Sequence, residues 1–249
     1  MGSFIQQCKF ETLRQVRNRR FFFFTILIPI FFYVMFVQIG GGKNLQIGGT
    51  TWSTYYMVSM ATFSVVGGAL NGLSARVAFE RSGGWFRLTQ TTPLLPMIYV
   101  LAKVVSQLLV NTLMILLVFL TGVFVEGVRL PLHAWVIAYV WLVVGALPFV
   151  AMGIFIGLIA GKEAAQIVAS AVYFILSILG GLWFPTAAMP LLMRHIAYVL
   201  PTYRLAHVAW QVIANGRPGL LDIAIVAAYF VGFVGLTAGL IGRVREIAV

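Results

Sequence analysis

Glu80 and Arg81 stand side by side in the sequence, an acid and a base just after a long apolar run and just before the glycine pair Gly83-Gly84. They sit inside RVAFERSGGWFRLTQTTPLLPMIYVLAK, the stretch from Arg76 to Lys103, which is long where most other connections in the chain are short. Gly-Gly permits a sharp reversal of the backbone. Trp85–Thr91 has room for two helical turns, and Pro93 ends them. The expected product is a hairpin projecting from the body of the protein and tipped by a short helix. Such an element suits mechanical contact with another protein; the plainer reading is an inert surface loop.

Other candidate chemistry is sparse. The six acids all fall outside the apolar runs, and the notable polar residues within or beside them are Asn71, Gln107, Asn111 and Gln166. Gln107 and Asn111 are four apart and share a helical face, where they either bond between helices or line a path. His195 and His207 are twelve apart, with no nearby acid or cysteine to complete a metal set, so no metal site is expected. His133 opens an apolar run and reads as an interface residue. Cys8 is the sole cysteine, which excludes an intrachain disulfide and a cysteine-based metal site. No G-x-x-x-x-G-K-[ST] pattern occurs, so the chain is expected neither to bind ATP nor to act as an enzyme.

The elements that must position these residues follow from composition. Hydrophobic residues make up 61% and charged residues 9% of the 249 positions. A soluble domain carries roughly 25% charged residues, so lipid has to solvate much of this surface. Six runs hold no Asp, Glu, Lys or Arg and are about long enough to span: 21–39, 53–75, 104–125, 132–160, 164–184 and 223–242. They lack the alternation of barrel strands. The fold class is therefore all-α: a polytopic membrane protein with six transmembrane helices. The fourth run is longer than needed, and Pro148 with Gly145 predicts a kink in it.

With six spans, both termini share a side. That side carries the N-terminal bases, Arg76, Arg81, Arg87, Lys103, Lys162, Arg243 and Arg245; the other carries only Lys43, Arg129, Arg194, Arg204 and Arg217. The base-rich side is expected to be cytoplasmic, in a cytoplasmic membrane. Membrane topology thus explains the formal net charge of +11 without nucleic acid. Residues 1–20 read as an amphipathic interfacial helix. Phe4, Ile5, Cys8, Leu13 and Val16 lie on one half, and Gln7, Glu11, Arg14 and Arg17 on the other. Arg17, Arg19 and Arg20 would sit at phosphate level. They either fix topology alone or also meet a cytoplasmic partner.

Residues 185–218, between the fifth and sixth spans, are apolar yet broken by Pro185, Pro190 and Pro201, and carry Arg194, His195, Arg204 and His207. Two short helices re-entering the outer leaflet would fit, capping the exit of a path. An interfacial belt of Tyr198, Tyr203 and Trp210 fits equally.

Glu80-Arg81-Ser82-Gly83 through Thr92-Pro93-Leu94 resembles the cytoplasmic loop of the ABC-2 type exporter permeases. Gly180-Gly181-Leu182-Trp183-Phe184-Pro185, then Met189-Pro190 and Leu200-Pro201, resemble that family's fifth span and outer re-entrant segment. One departure is Gly84-Trp85-Phe86-Arg87, where relatives commonly carry an acid after the glycine. The resemblance covers essentially the whole chain, residues 21–249 forming one transmembrane domain after the lead-in helix. It implies a permease working with a separate ATPase: two permeases, as a homodimer or a heterodimer with a paralogue, two ATPase copies, ATP and Mg²⁺ on the ATPase, and the loop (Glu80, Arg81, Gly83, Gly84, Trp85, Phe86, Arg87, Thr92, Pro93) docked in its cleft. The cargo class expected from an uncharged interior is a drug, lipid or lipid-linked molecule. The competing classes are an ion-coupled secondary transporter or channel, and a non-transporting scaffold or sensor. The scarcity of ionisable residues at depth weighs against ion coupling.

Overall fold

The computed structural model describes residues 2–40, 45–84 and 96–247. Apart from one short hairpin and the connecting turns the described chain is helical, as lipid requires of backbone polar groups. The helices are α1 (Gly2–Arg17), α2 (Arg19–Ile39), α3 (Trp52–Ser82), α4 (Pro96–Phe124), α5 (Leu132–Val144), α6 (Leu147–Ile159), α7 (Ala164–Leu179), α8 (Leu191–Val199), α9 (Pro201–Ile213) and α10 (Leu220–Ile247). Two antiparallel strands, β1 (Gln46–Ile47) and β2 (Thr50–Thr51), precede α3 and turn at Gly48-Gly49, both at positive φ.

Each charge-free run is helical over most of its length. Four stretches are long and apolar enough to cross a membrane: α3, α4 from Ile98, the Leu132–Ile159 pair α5–α6, and α10 to Leu240. Phe23–Ile39 of α2 and Ala164–Leu179 of α7 are apolar but shorter. The fourth run breaks at Gly145–Ala146, where Pro148 has no N–H to offer the Val144 carbonyl.

The expected 76–103 loop is much narrower. α3 continues to Ser82 and α4 begins at Pro96, so the connection spans 83–95. Helix persists there because Arg76, Glu80 and Lys103 find ion partners inside the protein. Gly83 closes α3 through its N–H to the Phe79 carbonyl (3.0 Å), and Gly84 takes φ +69°. This end of the bundle is called the loop end below, and the β1–β2 end the hairpin end.

α3 is the central post. Every residue from Ser53 to Leu70 is buried, so the helix meets protein all round rather than on one face. α2, α4 and α7 run antiparallel beside it and α6 parallel to it. α6 comes closest: Ser74 Oγ donates to the Gly153 carbonyl (3.0 Å), and side chains at Gly153 or Gly157 would collide with α3.

At the hairpin end an aromatic cluster joins α2, α3 and the segment just after α7. Trp183 lies 5.1 Å from Phe32 and 5.9 Å from Phe63 between ring centroids, and its carbonyl accepts from Tyr56 Oη (2.9 Å). The prolines of 185–218 act as starting points: Pro185 precedes a 3₁₀ turn, Pro190 precedes α8, and Pro201 opens α9. Phe184 stays exposed. α9 packs into the bundle, with Trp210 stacked on Tyr55 at 4.5 Å and donating to its carbonyl. Tyr203 and Trp210 are therefore buried against protein, which corrects the expectation of a three-member surface belt; Tyr198 remains at the surface.

Candidate functional site

The richest polar structure among the described residues lies at the loop end, where α1, α3 and α4 meet. The amphipathic helix turns its polar side toward the protein. Glu11 and Gln15 are buried, while Ile5, Leu13 and Val16 stay exposed on the other side. Lys103 of α4 is 1% exposed and bridges two acids from different helices: Nζ lies 2.9 Å from Glu11 Oε1 and 2.8 Å from Glu80 Oε2. Glu80 is 3% exposed and also accepts from Arg14 Nη1 (2.7 Å) and from the Tyr99 hydroxyl. Arg76 Nη1 reaches Glu11 Oε2 (3.3 Å), and its Nε donates to the Gly72 carbonyl (2.7 Å). With its oxygen turned toward Arg76, the Gln15 carboxamide accepts from that guanidinium at 2.7 and 2.8 Å and from Ser106 Oγ at 3.0 Å.

Two carboxylates thus face three bases. Burying such charges costs desolvation, so a cluster of this kind is better at fixing register than at adding net stability. Here it fixes α1 against both stems of the 83–95 loop.

Glu80 and Arg81 point to different neighbours. Arg81 donates to the Leu158 carbonyl and to Ala160 O (2.8 Å), satisfying the open C-terminal end of α6. Lys162, in the next connection, sits 4.8 Å over the Phe79 ring. The loop stem is therefore tied to the 160–163 turn as well. Arg81→Met is expected to lower stability by about 1 kcal/mol, since these bonds are solvent-exposed; thermal unfolding in detergent micelles measures it.

Gln107 and Asn111 are buried and bonded to one another (Nε2 to Oδ1, 2.9 Å), and Gln107 Oε1 accepts from Arg76 (3.3 Å). They extend the polar network from Arg76 into the bundle. Asn71 faces elsewhere. It accepts from Ser170 Oγ (2.9 Å) and Gln166 Nε2 (3.1 Å) beside a cavity of about 350 Å³ between α2, α3 and α7. Phe24, Ile28, Phe63, Tyr173 and Phe174 supply its apolar walls. Of the remaining sequence candidates, Arg17 is exposed at the end of α1. Trp85, Phe86, Arg87, Thr92 and Pro93, with the side chains of Arg19 and Arg20, lie outside the described residues.

Glu11, Arg76, Tyr99 and Lys103 do not stand out as a set in the sequence. Glu11 falls on the polar half of α1, which reads as solvated, and the others fall in a stretch that reads as loop. The available signal is helical spacing: Arg76 and Glu80, like Tyr99 and Lys103, are four apart and share a face. Asp222 gives as little sign of its role. At the hairpin end it is buried, with Arg204 Nη1 at 2.6 Å and His207 Nδ1 at 2.9 Å, so α9 is clasped to the start of α10. Asp222→Asn is expected to cost about 2 kcal/mol, read from the loss of thermal stability. Among the described residues no group of His, Cys, Asp or Glu is arranged to hold a metal ion.

A bundle of apolar helices with an amphipathic lead-in helix, braced loop stems and a lateral cavity is the architecture of a polytopic α-helical membrane protein. Residues 4–211 match the ABC-2 type transporter family, and the chain belongs to it. It is also 33% identical over 228 residues to the protein named "Putative transport permease YvfS" of Bacillus subtilis (strain 168), covering 91% of this chain and 92% of that one.

Proposed function

We propose that the chain is the membrane-spanning subunit of an ATP-driven exporter, pairing with a second permease copy and two copies of a separate ATPase. ATP and Mg²⁺ bind on the ATPase. The loop end faces the cytoplasm, six helices span a cytoplasmic membrane, and residues 185–218 re-enter the outer leaflet near the exit. The 83–95 loop receives the ATPase, and nucleotide-driven closure tilts the spans.

The observation that carries this reading is the bracing of that loop's stems. Glu80 is held by α1 and α4, and Arg81 by α6, so force applied at the loop reaches three helices at once. The cavity between α2, α3 and α7 is the candidate path. Its aromatic walls and the neutral amides of Asn71 and Gln166 suit an uncharged or amphipathic drug, lipid or lipid-linked molecule.

The test is co-purification of the tagged chain with its companion ATPase from native membranes, followed by reconstitution. Transport that needs ATP, together with hydrolysis that is uncoupled from transport by Glu80→Gln or Arg81→Met, is the expected result. Transport by the chain alone under an ion gradient would instead favour the ion-coupled reading.

A further inference from the structure

The two stems of the 83–95 loop meet α1 at a single buried ammonium. Lys103 stands at the start of α4, Glu80 at the end of α3 and Glu11 in the middle of α1, and Nζ lies 2.9 Å from Glu11 and 2.8 Å from Glu80. A helix that merely anchored the chain to a bilayer would need no such contact. Its exposed apolar residues Ile5, Leu13 and Val16 would suffice. A shared, almost fully buried lysine is costly to desolvate and tolerates little change in geometry, which is what holding three helices in one register requires. Arg14 and Arg76 repeat the pattern: Arg14 ties α1 to Glu80, and Arg76 ties α3 to Glu11.

We propose that Lys103 is a positioning residue that makes α1 and both loop stems one rigid body. The membrane-surface helix and the loop then move together when the ATPase closes. This rests on the reading of 83–95 as the ATPase-receiving loop. Lys103 touches neither nucleotide nor cargo; it sets where the loop stands relative to the bilayer surface.

The experiment uses the complete transporter in lipid nanodiscs, with Cys8→Ser and spin labels on Val16→Cys of α1 and Ser82→Cys of α3, both exposed positions. With Lys103 present, the inter-label distance should be narrow and unchanged between the nucleotide-free and ATP–vanadate states. Lys103→Met should broaden it and lower kcat for ATP hydrolysis roughly tenfold while leaving KM for ATP unchanged; Lys103→Arg should restore both. A distance that shifts with nucleotide when Lys103 is present, or a Lys103→Met distribution as narrow as the parent's, overturns the proposal. Failure of any ATPase to join the parent chain would sink the functional reading instead, and the nucleotide-free comparison of parent and Lys103→Met would still decide whether the latch exists.

Discussion

Glu80→Leu is expected to destabilise the solubilised chain by about 3–5 kcal/mol, the cost of breaking a buried ion pair from one side. The substitution leaves Lys103 with Glu11, takes from Arg14 the carboxylate it pairs with, and removes the acceptor of the Tyr99 hydroxyl. Glu80→Gln retains an acceptor and should cost less than half as much. Chemical unfolding in mixed micelles, followed by helical circular dichroism, separates the two. A double change, Glu80→Leu with Lys103→Met, should recover part of the loss, because the buried ammonium that has lost one of its two carboxylates is then gone. Equal stability of Glu80→Leu and the parent would mean that water, not protein, surrounds that carboxylate.

Gly157→Leu should be strongly damaging, although it lies outside the cluster. A Cβ at Gly157 would lie 2.7 Å from the Ser74 carbonyl oxygen and 2.7 Å from Val77 Cβ, and one at Gly153 would lie 2.6 Å from the Ala69 carbonyl oxygen. These are largely backbone contacts, so no rotamer change relieves them, and α6 has to move away from α3. The expected loss is about 3 kcal/mol, at the upper end for overpacking, with detachment of the Arg81 bonds that depend on the same helix end. Gly161→Leu, where a Cβ meets nothing within 4 Å, is the control and should be near neutral. The readout is the melting temperature of each variant in one detergent.

What could be read from the sequence was whatever a bilayer dictates. Charge-free runs of helical length located the helices, and Pro148 with Gly145 located the break in the fourth run. The end of α3 was not among these: the charge-free run stops at residue 75, whereas the helix continues to Ser82 and stops at the Gly83-Gly84 pair. What could not be read was set by partners distant in sequence. Arg76–Ser82 looks like a loop because it is charged, yet its charges are met by residues on α1 and α4. Glu11 looks solvated because helical periodicity says which residues share a face and not what that face meets. His207 looks isolated because Asp222 lies fifteen residues away across a turn. Gln107 and Asn111 share a face by spacing, but that they meet Gly68 of α3 and the Arg76 guanidinium is set by partners on another helix.

The most direct test of the account is the sidedness of Ser82, the last residue of α3 before the loop. In a Cys8→Ser, Ser82→Cys chain, a membrane-impermeant maleimide should label inside-out vesicles and not intact cells, with the ATPase shielding the site when bound. Labelling of Ser82→Cys from outside intact cells would contradict it.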